Sequence, residues 1–434
     1  MKIRSSLRQA GQALRWWWLD WIDRLLFTPP VERISARRRA VSGGRGVPRQ
    51  IRQLHLDVSV IHRDDAGTGI QRVVRSLRQH LPLAISPEIR LESLIVGSGR
   101  QGYVTAAGAP LIGAPGSLFF GLDFATDSIF RFRHDLREFK LAGGQLWFLV
   151  HDILPLSHPQ WFTHASSVKY RRWLRVCAAL ADGVLCVSPV VAEQVTGLLT
   201  QRYGRDDLPR VATIELGSDI TAADRKLSVS ELPSCPGLDH ATFKRAALVV
   251  GTLEPRKGHA DLLQAFELLW NEGHDIPLVL IGRSGWGTAK LQAQIREHPQ
   301  SGRLLFWLDD VDDHALHAAY RHCRMVIVPS LAEGFGLPLD EALALGAPVL
   351  ARRIPVFARH GDAPMTYFAE DADTVSIAAS IVGAYAAAGG PRRMAPLRQW
   401  DHTARQVARE LGCDDQAQPL VDKATMRFTG NLRR

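Results

Sequence analysis

The chain has little cysteine and no cysteine pair. Cys177, Cys186, Cys235, Cys323 and Cys413 are scattered through 434 residues and odd in number. No Cys-x-x-Cys spacing occurs, which argues against zinc and for reduced thiols in a cytosolic compartment. Three of the five lie in apolar runs and read as core residues. There is no apolar run long enough to span a bilayer. Internal repeats and low-complexity tracts are missing as well. No Asp-x-Asp is flanked as a metal clamp requires; Asp309-Asp310 and Asp312-Asp313 read instead as the start of a helix at His314, since acids favour a first turn. The globular body also lacks an excess of charge. The whole chain carries +9, but residues 1–50 hold eleven Lys or Arg against three acids and account for +8, leaving about +1 for the rest. A nearly neutral body argues against nucleic acid as a partner.

Hydrophobic content of 46% and charged content of 22% are ordinary for a folded soluble protein, and the length asks for two or three domains. The basic charge belongs to a separate N-terminal element. Leu7, Leu14, Trp17, Trp18, Trp21, Leu25 and Leu26 fall largely on one helical face, with Lys2, Arg4, Arg8, Arg15 and Arg24 among them. Asp20 and Asp23 interrupt any signal-peptide core, and no small-residue cleavage site follows. A Trp-rich basic amphipathic helix suits either an anionic membrane surface or packing against the protein's own body, and the sequence leaves both open. Residues 31–50, rich in Arg, Gly and Ser, read as a linker.

Beyond it, two halves each alternate apolar strands with helical stretches, the pattern of parallel α/β sheets. The strands of the first half include Leu54–Ile61, Ser117–Leu122, Gln145–Val150, Gly183–Val187 and Val211–Leu216. Those of the second include Ala247–Gly251, Pro277–Ile281, Leu304–Leu308, Met325–Val328 and Pro348–Ala351. After Lys257 a helix presents Leu262, Leu263, Phe266, Leu269 and Trp270 on one face and stops at Gly273. The aperiodic segment Thr221–Lys244 is the natural hinge. The expected domains are a helix and linker over 1–50, a first Rossmann-like domain over 51–240, a second over 241–395, and a C-terminal helix and tail over 396–434, the helix spanning Trp400–Leu411.

Every chemistry-bearing motif falls at the carboxyl end of one of these strands, where doubly wound sheets bind ligands. The most informative is Glu333-Gly334-Phe335-Gly336-Leu337-Pro338-Leu339-Asp340-Glu341, after the strand Met325–Val328. Pro338 suits a helix start and Gly346 its stop. Two carboxylates beside helix N–H groups would repel a bare phosphate, yet they fit a ligand that carries hydroxyls next to its phosphates. Upstream, Gly251-Thr252-Leu253-Glu254-Pro255-Arg256-Lys257-Gly258 places two cations where charge-assisted hydrogen bonds would hold a diphosphate. Asp64-Asp65-Ala66-Gly67-Thr68-Gly69-Ile70-Gln71-Arg72 follows the first strand, with a helix expected from about Ile70. Gly67 and Gly69 allow close backbone approach by a ligand, or simply a tight turn. Trp147–Asp152 ends an apolar strand on His151 and Asp152; Asp152 either orients the His151 ring or caps the next segment. Ile281-Gly282-Arg283-Ser284-Gly285-Trp286-Gly287 ends another strand with three glycines.

The Glu-x7-Glu spacing around Gly-Phe-Gly resembles the donor-site signature of family 4 glycosyltransferases. The resemblance runs from about Leu54 to Leu411 and is strongest from Val249 to Val356. It implies the GT-B fold: α/β, two Rossmann-like doubly wound domains facing a cleft, here with the N-terminal amphipathic helix added. It implies a hexosyltransferase that takes a nucleotide-sugar donor, needs no metal or other cofactor, and retains anomeric configuration. Glu333, His151, Arg256 and Lys257 match the catalytic group. Glu341, Gly67, Gly69, Gly282, Val311, Gly334, Phe335, Gly336 and Leu337 match donor-binding positions. In such enzymes Glu333 would meet the sugar hydroxyls, Glu341 the ribose, and His151 the donor sugar. One position departs from the family: Thr252 stands where an Arg often follows the strand glycine, so Arg256 takes over its work or the phosphates have one cation fewer.

Gly-Thr-Gly-Ile-Gln-Arg and Glu-Pro-Arg-Lys-Gly look like bacterial mannosyl- and rhamnosyltransferases of O-antigen or exopolysaccharide synthesis. That resemblance implies GDP-mannose as first donor and dTDP- or GDP-rhamnose as second. It implies a polyprenyl-linked or oligosaccharide acceptor, and a cytoplasmic enzyme peripheral to the inner membrane. A nucleotide-sugar epimerase of the same fold would share the donor site without an acceptor.

Overall fold

A computed structural model of the protein describes residues 50–415 apart from 66, 100, 202–207, 361–362, 364 and 391. The expected amphipathic helix and its linker lie outside the described residues. Among the described residues, no helix is long and apolar enough to cross a membrane.

Two sheets form. The first holds β1 (Gln53–Asp57), β2 (Arg90–Val96), β3 (Tyr103–Thr105), β4 (Ser117–Gly121), β5 (Gln145–Val150), β6 (Gly183–Cys186) and β7 (Arg210–Thr213), in the order β3-β2-β1-β4-β5-β6-β7. All neighbours are parallel except β2 with β3. The second holds β8 (Ala247–Val250), β9 (Leu278–Ile281), β10 (Leu305–Leu308), β11 (Met325–Val328), β12 (Val349–Arg352) and β13 (Met365–Phe368), ordered β10-β9-β8-β11-β12-β13 and parallel throughout. The apolar runs follow from this topology: helices cover both faces, so Ser117–Gly121, Gly183–Cys186 and Met325–Val328 are buried at every position. Strand order reverses between β1 and β4, and again between β8 and β11. Each reversal opens a crevice at the carboxyl ends of its strands.

Strand positions agree with the expected apolar runs, except that the run Val211–Leu216 is strand only to Thr213 and the first run also stops early. The run expected as strand through Ile61 stops at Asp57, and Ser59–Arg63 is a short helix. Asp57 Oδ1 accepts from the Ser59 N–H at 3.0 Å, and Asp123 Oδ2 accepts from the N–H groups of Val60 and Ile61, both at 2.7 Å. These two carboxylates satisfy the orphan donors of a helix start and override the β-propensity of Val60 and Ile61. The strands β2, β3 and β13 carry half-buried patterns that blur their apolar signal.

The segment Thr221–Lys244 is not a bare connector. Ile220, Leu227, Leu232, Leu238 and Phe243 are buried in the core of the second domain. The helix Trp400–Leu411 lies against the helix Gly69–His80 of the first domain. Trp400, Ala404, Val407, Ala408 and Leu411 form its buried face. Thr403 Oγ1 donates to the Glu215 carbonyl at 2.7 Å, and Gln399 Nε2 to that of Ile220 at 2.9 Å. All five cysteines are free thiols, four of them buried.

Candidate active site

The centre of the site is a buried ionic cluster at the ends of β8 and β11. After β8 the chain makes a tight turn over Pro255–Lys257, passes Gly258 at φ +71°, and enters the helix His259–Asn271. Only glycine suits that backbone, and a Cβ at Gly258 would lie 2.2 Å from the Pro329 carbonyl oxygen. The β8 and β11 loops therefore touch, and Leu331 N–H donates to the Arg256 carbonyl at 2.8 Å.

Across that contact both oxygens of Glu333 are engaged. Oε1 accepts from Lys257 Nζ at 2.6 Å and from Ser330 Oγ at 2.8 Å; Oε2 accepts from Arg256 Nη1 at 2.7 Å. Arg256 Nε lies 2.9 Å from Glu254 Oε2. Burial alone would raise the Glu333 pKa, but Lys257 and Arg256 outweigh it and hold the carboxyl down at about 2. Arg256 is desolvated too, yet Glu333, Glu254 and Asp152 keep its guanidinium charged, with its pKa raised. Behind the loop the buried Arg352 donates through Nε to the Pro329 carbonyl and through Nη2 to Asp261, both at 3.0 Å. The loop is thereby fixed from its far side.

The first domain meets this cluster directly. His151 and Asp152 follow β5, and a Cβ at Gly334 would lie 1.9 Å from the His151 carbonyl oxygen. His151 is buried, and its Nε2 has no hydrogen-bond partner among the described residues. Burial lowers its pKa to about 4, so the ring is neutral near pH 7. Asp152 Oδ1 accepts from the Leu154 N–H at 2.9 Å, the capping alternative for this residue. Burial raises its pKa, opposed by the nearby Arg256.

The remaining expected positions lie on the loops and helix starts that follow β1, β9, β10 and β11. Gly67 has φ +65°, and a Cβ there would lie 3.7 Å from Arg283 Nη1 on the loop after β9. A Cβ at Gly69 would lie 3.8 Å from Leu337 Cδ1. Thr68 and Gln71 form a capping box that starts the helix Gly69–His80 between them. Gly282 adopts φ +154°, and a Cβ there would lie 2.2 Å from the Gly251 carbonyl oxygen, so the β8 and β9 loops meet closely at these glycines, and the Leu253 N–H donates to the Arg283 carbonyl at 3.0 Å. Gly336 has φ +93° against the Phe357 ring, and the Arg359 guanidinium stacks 4.1 Å from the centroid of Phe335. Val311 packs on the second-domain core one residue before Asp312, which caps the helix Asp313–His322 through the Ala315 N–H at 2.8 Å. That helix thus starts one residue before His314.

Glu341 stands apart from Glu333. It is 4% exposed, on the helix Leu337–Ala344, and its Oε2 accepts from Tyr320 Oη at 2.9 Å. Its Oε1 accepts from Arg72 Nη1 of the first domain at 2.5 Å. Arg72 also donates to Asp313 at 2.7 Å and lies 3.8 Å from Asp219. A further bond between the domains runs from Trp286 Nε1 to the Trp161 carbonyl at 2.8 Å.

Sequence reasoning does not single out Arg72, Tyr320, Arg283, Ser330 or His259. Arg72 lies in a string that stands out for its glycines, and nothing local tells that it reaches a residue 269 positions away. His259 begins the helix after Lys257, buried, with neither ring nitrogen hydrogen-bonded among the described residues; burial, helped by Lys257, lowers its pKa to about 3.

The site thus offers two cations gathered on one acid at a strand-end loop, a neutral histidine opposite, and a second acid bridged from both domains. The family described as "Glycosyl transferases group 1" matches residues 238–360, which contain both loops of the ionic cluster. The serotype-specific mannosyltransferase WbdA of Escherichia coli is 35% identical over 376 residues, covering 82% of this chain and 44% of that protein. The O-antigen chain mannosyltransferase B of Escherichia coli is 36% identical over 132 residues, 30% of this chain and 34% of that one. The chain spans less than half the length of these relatives. Among solved structures, Alr3699/HepE of Anabaena in complex with UDP and glucose aligns with a TM-score of 0.50 at 16% identity, covering 83% of this chain and 95% of that one. The sucrose-phosphate synthase of Thermosynechococcus elongatus aligns with a TM-score of 0.51 at 18% identity, covering 83% and 94%. At such identities the likeness is one of fold: two facing Rossmann-like domains of GT-B type.

Proposed function

The chain belongs to the group 1 glycosyl transferases, and from that premise we propose that it transfers a hexose, mannose first among candidates, from a nucleotide-sugar to a growing or lipid-linked bacterial polysaccharide. The observation that carries this reading is the Glu333 carboxylate held between Arg256 and Lys257, on a loop whose Gly334 packs against the His151 backbone. Cleaving a sugar–diphosphate bond builds negative charge on the leaving phosphate. Arg256 and Lys257 are the cations that would take up that charge, and the buried setting makes each contact stronger than it would be in water. Their electrostatic attraction to Glu333 keeps both in place before the donor arrives, so little reorganisation is needed at the moment of reaction. Glu333 then has two roles: it aligns the cations and, with three of about four lone pairs already engaged, accepts a hydrogen bond from one sugar hydroxyl through the last. Neutral His151 donates or accepts a hydrogen bond at the sugar without adding charge beside the developing oxocarbenium centre. Transfer proceeds with retention and without a metal ion.

GDP-mannose is the first donor to test because relatives that match 82% of this chain are described as mannosyltransferases; dTDP- or GDP-rhamnose comes second. The acceptor is a polyprenyl-linked or oligosaccharide chain reached at the cytoplasmic membrane surface, to which the basic Trp-rich residues 1–30 bind. The experiment is a donor screen by thermal shift, followed by incubation of the stabilising donor with labelled sugar and a lipid-linked oligosaccharide. NMR of the product gives the anomeric configuration. Net transfer with retention is the expected result. Isomerised donor with no transfer would make the protein an epimerase of the same fold.

A further inference from the structure

Arg72 belongs to the first domain, yet its guanidinium closes on Glu341 of the second. We propose that Arg72 is a positioning residue of the donor subsite: it orients the Glu341 carboxylate for a nucleoside's ribose hydroxyls and does so only when the two domains are closed. The inference rests on the donor reading above, in which Glu341 meets the nucleoside.

Three observations support it. First, Glu341 is nearly inaccessible, and a buried carboxylate needs partners for its oxygens. One partner is Arg72 at 2.5 Å, the single cation bonded to it among the described residues. Second, the two oxygens are held separately. Oε1 takes the Arg72 guanidinium and Oε2 takes the Tyr320 hydroxyl, itself fully buried. Two fixed donors define the plane of the carboxylate, and an ionised carboxylate has about four acceptor positions, so the other lone pairs are left aligned for a pair of hydroxyls. Third, Arg72 is itself held. Asp313 accepts from it at 2.7 Å at the start of the helix that also supplies Tyr320. Its own helix is aimed by the capping box of Thr68 and Gln71, while Gly69 approaches Leu337, the first residue of the helix that carries Glu341.

Both residues follow a glycine-containing loop at a topological switch point, one in each domain. When the domains part, Glu341 keeps Tyr320 and loses Arg72. Nucleoside affinity is therefore coupled to closure, and by linkage a bound nucleoside favours the closed arrangement. The diphosphate end of the donor belongs to Arg256 and Lys257, which Arg72 does not touch. This separates the effect of Arg72 from any general damage to the site.

The test is isothermal titration of GDP, UDP and inorganic pyrophosphate into the full chain and into Arg72→Ala, Arg72→Lys and Tyr320→Phe. Arg72→Ala is expected to weaken the bound nucleoside diphosphate by about 10–100-fold, the size of one charge-assisted hydrogen bond, while pyrophosphate binding changes less than about threefold. Tyr320→Phe preserves shape and is expected to show the same discrimination more weakly. It keeps the test decisive if Arg72→Ala fails to fold. Arg72→Lys restores charge without the fork and is expected to recover part of the loss. With a donor in hand, KM should rise with kcat nearly unchanged. Equal losses for nucleoside diphosphate and pyrophosphate, or wild-type affinity in both Arg72→Ala and Tyr320→Phe, would overturn the proposal while leaving the transferase reading intact. If the unmodified protein binds neither of these nucleotides nor dTDP, titrated in the same way, it is the transferase reading that falls.

Discussion

Gly334 lies against the carbonyl of His151, so close that a single methyl group at position 334 would come within 1.9 Å of that oxygen. The contact joins the loop after β11 of the second domain to the end of β5 in the first. Backbone faces backbone there, and no flexible side chain can yield. Gly334→Ala should therefore push the domains apart at the reacting centre while leaving each core intact. Turnover is expected to fall by about 100-fold, the usual consequence of misplacing reacting groups by an ångström, with little change in melting temperature. A wild-type rate would show that the cleft has slack at this point.

Lys257 and Arg256 both bond Glu333, but they differ in what else holds them. Arg256 has Glu254 beside it as well, whereas Lys257 has no second acid bonded to it among the described residues. Lys257→Ala should lower kcat by about 10²–10³-fold through lost stabilisation of the leaving phosphate. Lys257→Arg should recover more of the rate than Lys257→Gln does. Steady-state kinetics with an unchanged kcat/KM in Lys257→Ala would remove this residue from the phosphate site.

Glu333 should leave a mark on acid stability. Its folded pKa of about 2 lies below the ordinary glutamate value of 4.5. An acid whose pKa is depressed by folding stabilises the fold above its unfolded pKa, and that contribution disappears as pH falls through the folded pKa. The window is thus pH 4.5 down to 2, and the contribution is about 3 kcal/mol. Urea titrations across that range should show a steeper fall in stability for the unmodified protein than for Glu333→Gln. Glu333→Gln should itself be less stable at pH 7, because it leaves two buried cations on a neutral amide. Parallel curves for the two proteins would contradict the assignment.

His151 should remain neutral far below the usual histidine range. Burial places its pKa at about 4, so the pH–rate profile should carry no limb from this ring between pH 5 and 8. NMR of the imidazole carbon-bound protons should place the titration midpoint near 4. A midpoint between 6 and 7 would show a ring open to water. Because folding lowers this pKa, the unfolded state takes up the proton first, and His151 costs the fold stability as pH drops from 6.5 toward 4.

Much of the cleft is legible in the sequence because its parts are local. Glu333 to Glu341 is one loop and one helix, and Glu254 to Gly258 is one turn; strand, glycine and cation stand within a few residues of each other. The alternation of buried strands is readable for the same reason, since a strand covered on both faces, such as Met325–Val328, is apolar at every position. What the sequence hides are relations between distant segments. Gly334 meets His151 and Arg72 meets Glu341 only after two sheets have formed and faced one another, and no pattern in either segment encodes the other. The half-exposed edge strand Met365–Phe368 escapes because exposure on one side breaks the apolar run. The first strand ends earlier than its apolar pattern implies because Asp123, about sixty residues away, supplies the acceptor that turns Val60 and Ile61 into a helix.

The helix Trp400–Leu411 makes the first domain discontinuous in the chain. Residues from both sides of the second domain contribute to it, since Trp400, Thr403 and Val407 are buried where the helix meets Gly69–His80 and Glu215. During synthesis the second domain, contiguous between Ala247 and Ala387, has all of its strands before the first domain has its last helix. The usual order, in which the N-terminal domain matures first, is thus reversed for this surface. The face of Gly69–His80 that awaits Trp400 stays uncovered until the chain has passed Leu411, and a protein truncated after residue 397 should be cleaved there by protease while the second domain resists.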